Sequence, residues 1–196
     1  MRKALLIGIV FSAIVMAAPA AAQAGPEWYE VPETTIGNVT EAKEFNTEVI
    51  QLRFTFNGFV SGYCLLSAHG FVWNGEEMGN GAIDQFFGNE ECGTSVPFCK
   101  VEKISSSASA EVPWNLTLVG ANEVELQNIT LTYHYTPGCK AFLGTTTVSI
   151  AGNLSGPFNN GSQCIEYTAA TGLKIELTEA PVKAEGAICF GRFEVL

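Results

Sequence analysis

The chain has 196 residues, with 20 Asp and Glu against 10 Lys and Arg, a formal net charge of −10. Nucleic-acid affinity rests on Lys and Arg displacing counterions from phosphates, so this balance excludes a nucleic-acid partner and argues against anionic membranes and polymers. The length fits one large or two small domains, enough for a core that needs no metal.

The opening stretch, MRKALLIGIVFSAIVMAAPAAAQAG, puts Arg2 and Lys3 ahead of an apolar run from Ala4 to Ala18, followed by Ala22-Gln23-Ala24. This is the pattern of a secretory signal with an A-x-A cleavage site, so residues 1–24 are expected to be removed between Ala24 and Gly25. The apolar run has 15 residues, short of the roughly 20 that a membrane-crossing helix needs. A mature chain without membrane insertion, carrying eight basic and twenty acidic residues, is therefore expected. It is read as a secreted, extracellular monomer, or as one loosely held at a bacterial cell envelope.

Residues 25–46 read as an N-terminal extension, partly irregular. Within it only "TEAKEF" (40–45) has helix-forming residues, and farther on "GAIDQFFG" (81–88) has room for one helical turn. From Thr47, the residues Ile50, Leu52, Phe54 and Phe56 alternate with polar neighbours, the two-residue period of a half-buried strand. Asn57-Gly58 then marks a hairpin.

The segment "AHGFVWNGEEMGNG" (68–81) gathers His69, Trp73, Glu76 and Glu77 beside two Asn-Gly dipeptides. Its Asn-Gly and Gly-Asn-Gly elements read as chain reversal, with Trp73 packed on the core at a strand end. The loop tip, with Trp73, Asn74, Glu76 and Glu77, is the candidate for ligand contact.

The Ser-rich "KISSSASAEVPW" (103–114) is the only linker-like stretch. In "NEVELQNITLTYHY", Val124 and Leu126 share one parity while Ile129, Leu131, Tyr133 and Tyr135 share the other, which predicts a β-bulge near Gln127-Asn128. His134 then points away from the two tyrosines. "TTTVSIAGNL", "QCIEYT" and "LKIELT" read as strands joined by turns at Gly156-Pro157, Asn160-Gly161 and Thr171-Gly172. A last strand falls within Ala187–Leu196. Short strands with Gly and Asn turns indicate an all-β fold. We expect a single antiparallel β-sandwich, or barrel-like Greek key, over residues 47–196, with little helix.

Six cysteines, at 64, 92, 99, 139, 164 and 189, all follow the signal. In an exported chain they read as three disulfides stapling the fold. "CGTSVPFC", bent by Gly93 and Pro97, favours a local Cys92–Cys99 bridge and leaves the pairing of the other four open. No Cys-x-x-Cys pair exists, and His69 and His134 lack finger-like spacing. Asp84 is the only aspartate, so a calcium loop rich in Asp cannot be built. No metal and no cofactor is expected.

A serine nucleophile needs an oriented base, but there is no G-x-S-x-G, and "GNLSG" (152–156) misplaces its serine. Glycoside hydrolysis asks for two facing carboxyls, for which Glu76 or Glu77 with Asp84 are the candidates and Trp73 a stacking surface. The leading reading is a non-enzymatic extracellular module, with no catalytic residue assigned, that binds a neutral or cationic glycan or protein through loops at one end. A glycan-active hydrolase using carboxylates near Glu76, Glu77 and Asp84 is the alternative.

The succession "YCLLSAHGFVWNGEEMGNGAIDQFFGNEECGTSVPFC", "VPWNLTL" and "ITLTYHYTPGCKAFLGTTTVSIAG" resembles a group of exported, cysteine-containing β-proteins of unknown function from high-GC Gram-positive soil bacteria. The shared order places Cys64, Trp73-Asn74, Gly79 and Gly81, Ile83 with Phe86, Cys92 and Cys99, and Pro113-Trp114 with Leu118 at matching positions over roughly residues 47–155. The resemblance implies export and a disulfide-stapled β fold, and it supplies no activity.

Overall fold

The computed structural model describes residues 25–31, 34–37, 39–56 and 60–196. The expected signal, Ala24 and the Asn57-Gly58 turn lie outside the described residues.

Among the described residues twelve strands follow one another: β1 (Trp28–Glu30), β2 (Thr34–Thr35), β3 (Lys43–Phe56), β4 (Val60–Asn74), β5 (Gly79–Thr94), β6 (Val101–Ser106), β7 (Trp114–Gly120), β8 (Glu123–Tyr135), β9 (Thr147–Asn159), β10 (Cys164–Ile175), β11 (Pro181–Cys189) and β12 (Phe193–Val195). The one α-helix among the described residues is the single turn α1 (Lys140–Leu143), which follows a 3-10 turn at Pro137–Cys139. The segment 40–45 forms the end of a 3-10 turn and the start of β3, and 81–88 lies inside β5. In both, pairing with β4 overrides local helix preference.

The main sheet closes on itself. β3, β4 and β5 are successive antiparallel neighbours, β8 through β11 are another such run, and β11 pairs back onto β3. Between the two runs, β6 and β7 lie one after the other along the same edge of β8, against its C-terminal and N-terminal halves respectively. They act as one interrupted strand. β7 pairs with β5 and so completes the ring; of the Ser-rich stretch only 107–113 leaves the wall of this closed barrel, and the up-and-down order replaces the Greek-key alternative with a simpler route.

One face of each strand fills the interior. On β4, Cys64, Leu66, Ala68, Val72 and Asn74 are buried while the alternate residues reach the outer surface. On β8, Val124 and Leu126 point inward, then Ile129, Leu131, Tyr133 and Tyr135 do. The change of parity falls at a register shift between Leu126 and Ile129, with Asn128 at φ 61°, where the sequence placed it. A second shift, between Thr47 and Ile50, turns Phe45 and Thr47 inward ahead of Leu52 and Phe54. There Thr47 Oγ1 accepts from Ala68 N–H at 2.6 Å and donates to Ala68 C=O at 3.2 Å, serving groups that the bulge takes out of the ladder.

Two expected turns are strand interior: Gly156-Pro157 lies within β9 and Thr171-Gly172 within β10. Gly172 O stands where a Cβ on Gly152 would sit, 2.1 Å away, so glycine permits the close β9–β10 approach. The phenols of Tyr133, Tyr135 and Tyr167 lie in the core without hydrogen-bond partners. Burial raises the pKa of all three, keeping them neutral.

One end of the barrel is closed by a small sheet of order β12-β1-β2. Residues 25–46, expected as a partly irregular extension, hold β1, β2 and the first residues of β3. Trp28 is fully buried, edge-on to Phe158 at 5.4 Å and tilted against Phe190 at 5.9 Å.

The cysteines form Cys64–Cys92, Cys99–Cys139 and Cys164–Cys189. Cys92–Cys99 is therefore corrected: Cys64 and Cys92 are directly opposed on β4 and β5, as are Cys164 and Cys189 on β10 and β11. Proximity across the sheet outweighs proximity along the chain. Cys99–Cys139 ties the β5–β6 connection to the turn after β8.

Candidate functional site

The segment that sequence reasoning singled out is dispersed by the fold. Asn74 is the last residue of β4 and points into the barrel. Its Oδ1 accepts from Trp28 N–H at 2.7 Å, and its Nδ2 donates to the carbonyls of Trp28 and Ile36 at 3.0 and 2.8 Å. Every polar atom of its side chain is used to hold the N-terminal segment. Trp73, one residue earlier, has the opposite parity and is half-buried on the outer face, which corrects its expected place on the core.

The hairpin loop is Gly75 to Met78, closed by Gly75 N–H to Met78 C=O at 2.8 Å, with Glu76 and Glu77 exposed. Gly79 and Gly81 do more than reverse the chain. A Cβ on Gly79 would stand 2.6 Å from Trp28 Cδ1 and 2.5 Å from Leu118 Cδ1, and one on Gly81 3.1 Å from Leu116 Cδ1. These glycines leave room for the capping tryptophan and for the β7 leucines.

Asp84 stands five residues beyond Gly79 on β5, about 16 Å along an extended strand. It is not brought together with Glu76 and Glu77. It meets His69 of β4 instead, with His69 Nδ1 and Asp84 Oδ1 2.7 Å apart. The other ring nitrogen, Nε2, is 2.6 Å from Glu44 Oε1 on β3. Three adjacent strands thus supply one outward-facing carboxylate–imidazole–carboxylate row, with Phe71 edge-on to the imidazole at 5.1 Å.

A neutral imidazole has one N–H, so only the imidazolium donates to both carboxylates at once. Burial, the largest single influence on His69, lowers its pKa, but the hydrogen bonds and charges of Asp84 and Glu44 together outweigh it. The net shift is upward from 6.5. His69 and Asp84 are 15% exposed at the side chain and Glu44 is 61% exposed, so the row presents one accessible carboxylate.

Glu44 also borders an open groove of about 590 Å³, lined by Glu44, Phe45 and Asn46 on one side and by Cys189 to Arg192 on the other. The cause is in the strand register. β11 follows β3 only as far as Ile188 opposite Ile50, then the chain turns through Phe190–Arg192 toward β12. Among the described residues no strand pairs with this edge of β3 from Lys43 to Thr47. Arg192 Nη2 reaches across to donate to Glu44 C=O at 2.5 Å, which shows that the main chain of Glu44 faces the groove. Asn46, two residues on, has its main chain turned the same way. Arg192 Nη1 is also 3.4 Å from Glu30, which pairs with Lys43 at 3.3 Å, and the guanidinium lies 5.2 Å from the centre of the Phe193 ring.

Glu44, Asn46 and Arg192 were not singled out from the sequence. Parity alone points His69 and Asp84 outward, but nothing local links them to Glu44, 25 residues before His69, or to Arg192 near the far end of the chain.

Among the described residues no three His, Cys, Asp or Glu side chains are grouped so as to hold a metal ion. No helix among them is long and apolar enough to cross a membrane. Compared with protein families, with curated proteins and with solved structures, the chain matches none.

Proposed function

We propose that the protein is a secreted, non-enzymatic binding module whose partner is an extracellular glycan or protein of neutral or cationic character. The observation that supports this reading is the groove beside β3. It combines an edge of β3 that no described strand covers, the exposed Glu44 carboxylate fixed by His69, the Asn46 side chain and the Arg192 guanidinium fixed by Glu30 and the Glu44 C=O. Such a convergence of fixed polar groups on a rigid scaffold suits recognition. The closed barrel and its three disulfides make the scaffold rigid and fit an extracellular setting.

The glycan-hydrolase alternative draws less support, because Glu76 and Glu77 lie in the hairpin loop while Asp84 stands five residues beyond Gly79 along β5. The test is a binding screen of the chain from Gly25 against a glycan array and a panel of extracellular proteins, repeated with Glu44→Gln and Arg192→Ala. Ligands lost in both variants, and recovered unchanged after incubation, support the proposal. Ligands bound equally by the variants, or cleaved, overturn it.

A further inference from the structure

The barrel end opposite the small sheet carries three of the large exposed hydrophobic side chains. Phe98 is 63% exposed, Phe142 52% and Leu177 87%. Each stands on a different connection: Phe98 before β6, Phe142 on α1 between β8 and β9, and Leu177 between β10 and β11. The two phenylalanine rings are 5.6 Å apart. They are held there by Cys99–Cys139, whose cysteines lie next to Phe98 and three residues before Phe142. Thr136 N–H to Lys100 C=O at 2.9 Å and Lys100 N–H to Thr136 Oγ1 at 3.1 Å brace the same junction.

Lys100 and Lys140 flank this aromatic pair, both exposed, and neither is among the cations that form ion pairs between described residues. Lys103 is exposed nearby with Glu102, while Lys174 is paired with Glu179 beside Glu176. Further acidic residues, Glu41, Glu76, Glu77 and Glu123, are exposed at the capped end, while at the tip Glu176 and Glu179 stand on either side of Leu177. Net charge therefore misdescribes this tip. Around Phe98 and Phe142 it is basic and apolar, with Lys100, Lys103 and Lys140 against Glu102, on a molecule that is acidic overall.

We propose that this tip rests on an anionic lipid surface, with Phe98, Phe142 and Leu177 entering the headgroup layer and Lys100 and Lys140 facing lipid phosphates. Protruding side chains from three separate connections at one end meet a plane together, and unpaired lysines beside them match an anionic one. The contact is peripheral, and the capped acidic end is turned away from the membrane. The proposal is independent of the groove ligand.

The test is co-sedimentation of the chain from Gly25 with phosphatidylglycerol–phosphatidylcholine vesicles and with phosphatidylcholine vesicles alone. Binding is expected to the mixed vesicles only, and to fall as salt rises. The pairs Phe98→Ser/Phe142→Ser and Lys100→Glu/Lys140→Glu should each weaken it about tenfold or more, with melting temperatures unchanged. Val119→Ser, at a side chain 48% exposed near the other end, should bind as the unmodified chain does. No sedimentation with anionic vesicles overturns the proposal, as does binding that survives both tip pairs. A soluble protein held by Phe98 and Phe142 in the absence of vesicle binding also overturns it. Groove binding by the tip variants is read separately, so failure here leaves the groove reading standing.

Discussion

The side chain of Asn74 holds the main chain of Trp28 on both its polar groups, accepting from the N–H at 2.7 Å and donating to the C=O at 3.0 Å. This pair joins the barrel to its cap. Main-chain bonds add to it, Gly25 N–H to Glu77 C=O at 3.0 Å and Gly79 N–H to Pro26 C=O at 2.8 Å, but Asn74 is the buried side chain that reaches Trp28 itself.

Asn74→Ala is expected to leave the Trp28 N–H and the Ile36 C=O without this partner in a buried setting, and the Trp28 C=O with only the Ile36 N–H, destabilising the protein by about 2–4 kcal/mol. Asn74→Asp keeps the acceptor but loses both donated bonds and should also be destabilising. Urea unfolding of the two variants measures the effect. Wild-type stability in Asn74→Ala would mean that the cap does not depend on this side chain.

Gly79 makes a different contribution to the same cap, by absence of a side chain. Gly79→Ala places a methyl group against Trp28 and Leu118, and overpacking of this kind costs about 1–3 kcal/mol. Combining it with Leu118→Ala should lose less than the sum of the two single changes, since the smaller residue relieves the clash. Additive losses would locate the strain elsewhere.

The His69 row gives the pH dependence a definite sign. Its folded pKa is raised above 6.5, so the stabilisation from the imidazolium is fully present below that value and is lost as pH rises through the raised folded value. Two charge-assisted hydrogen bonds, one to a largely exposed carboxylate, contribute about 1–2 kcal/mol. His69→Gln should therefore be less stable than wild type in mildly acidic solution, with the gap narrowing toward alkaline pH. Nuclear magnetic resonance titration of the His69 ring supplies the folded pKa directly. A gap that widens with rising pH would contradict the arrangement.

Some of this was legible in the residues and some was not, for physical reasons. The β fold followed from period-two alternation, and the bulge at Gln127-Asn128 from one parity giving way to the other within a single strand. The bulge in β3 lacked that clarity, because Val49 and Ile50 are both apolar and suit either parity. Asn74 was misplaced although the parity of Cys64, Leu66, Ala68 and Val72 puts it inside. The Asn-Gly dipeptide suggested a turn, and the turn begins one residue later. Cysteine pairing and the Glu44–His69–Asp84 row depend on which strands become neighbours and in what register. Those relations join distant parts of the chain, and no local pattern encodes them.

On the proposed reading, the groove beside β3 is where the protein binds its partner without transforming it. This is tested most directly by titrating a ligand from the glycan and protein screen into wild type and into Glu44→Gln/Arg192→Ala by calorimetry, with the ligand recovered afterward. Saturable binding by wild type, a loss of about tenfold or more in the variant, and an unaltered ligand are expected. Equal affinity in both, or a cleaved ligand, would contradict it.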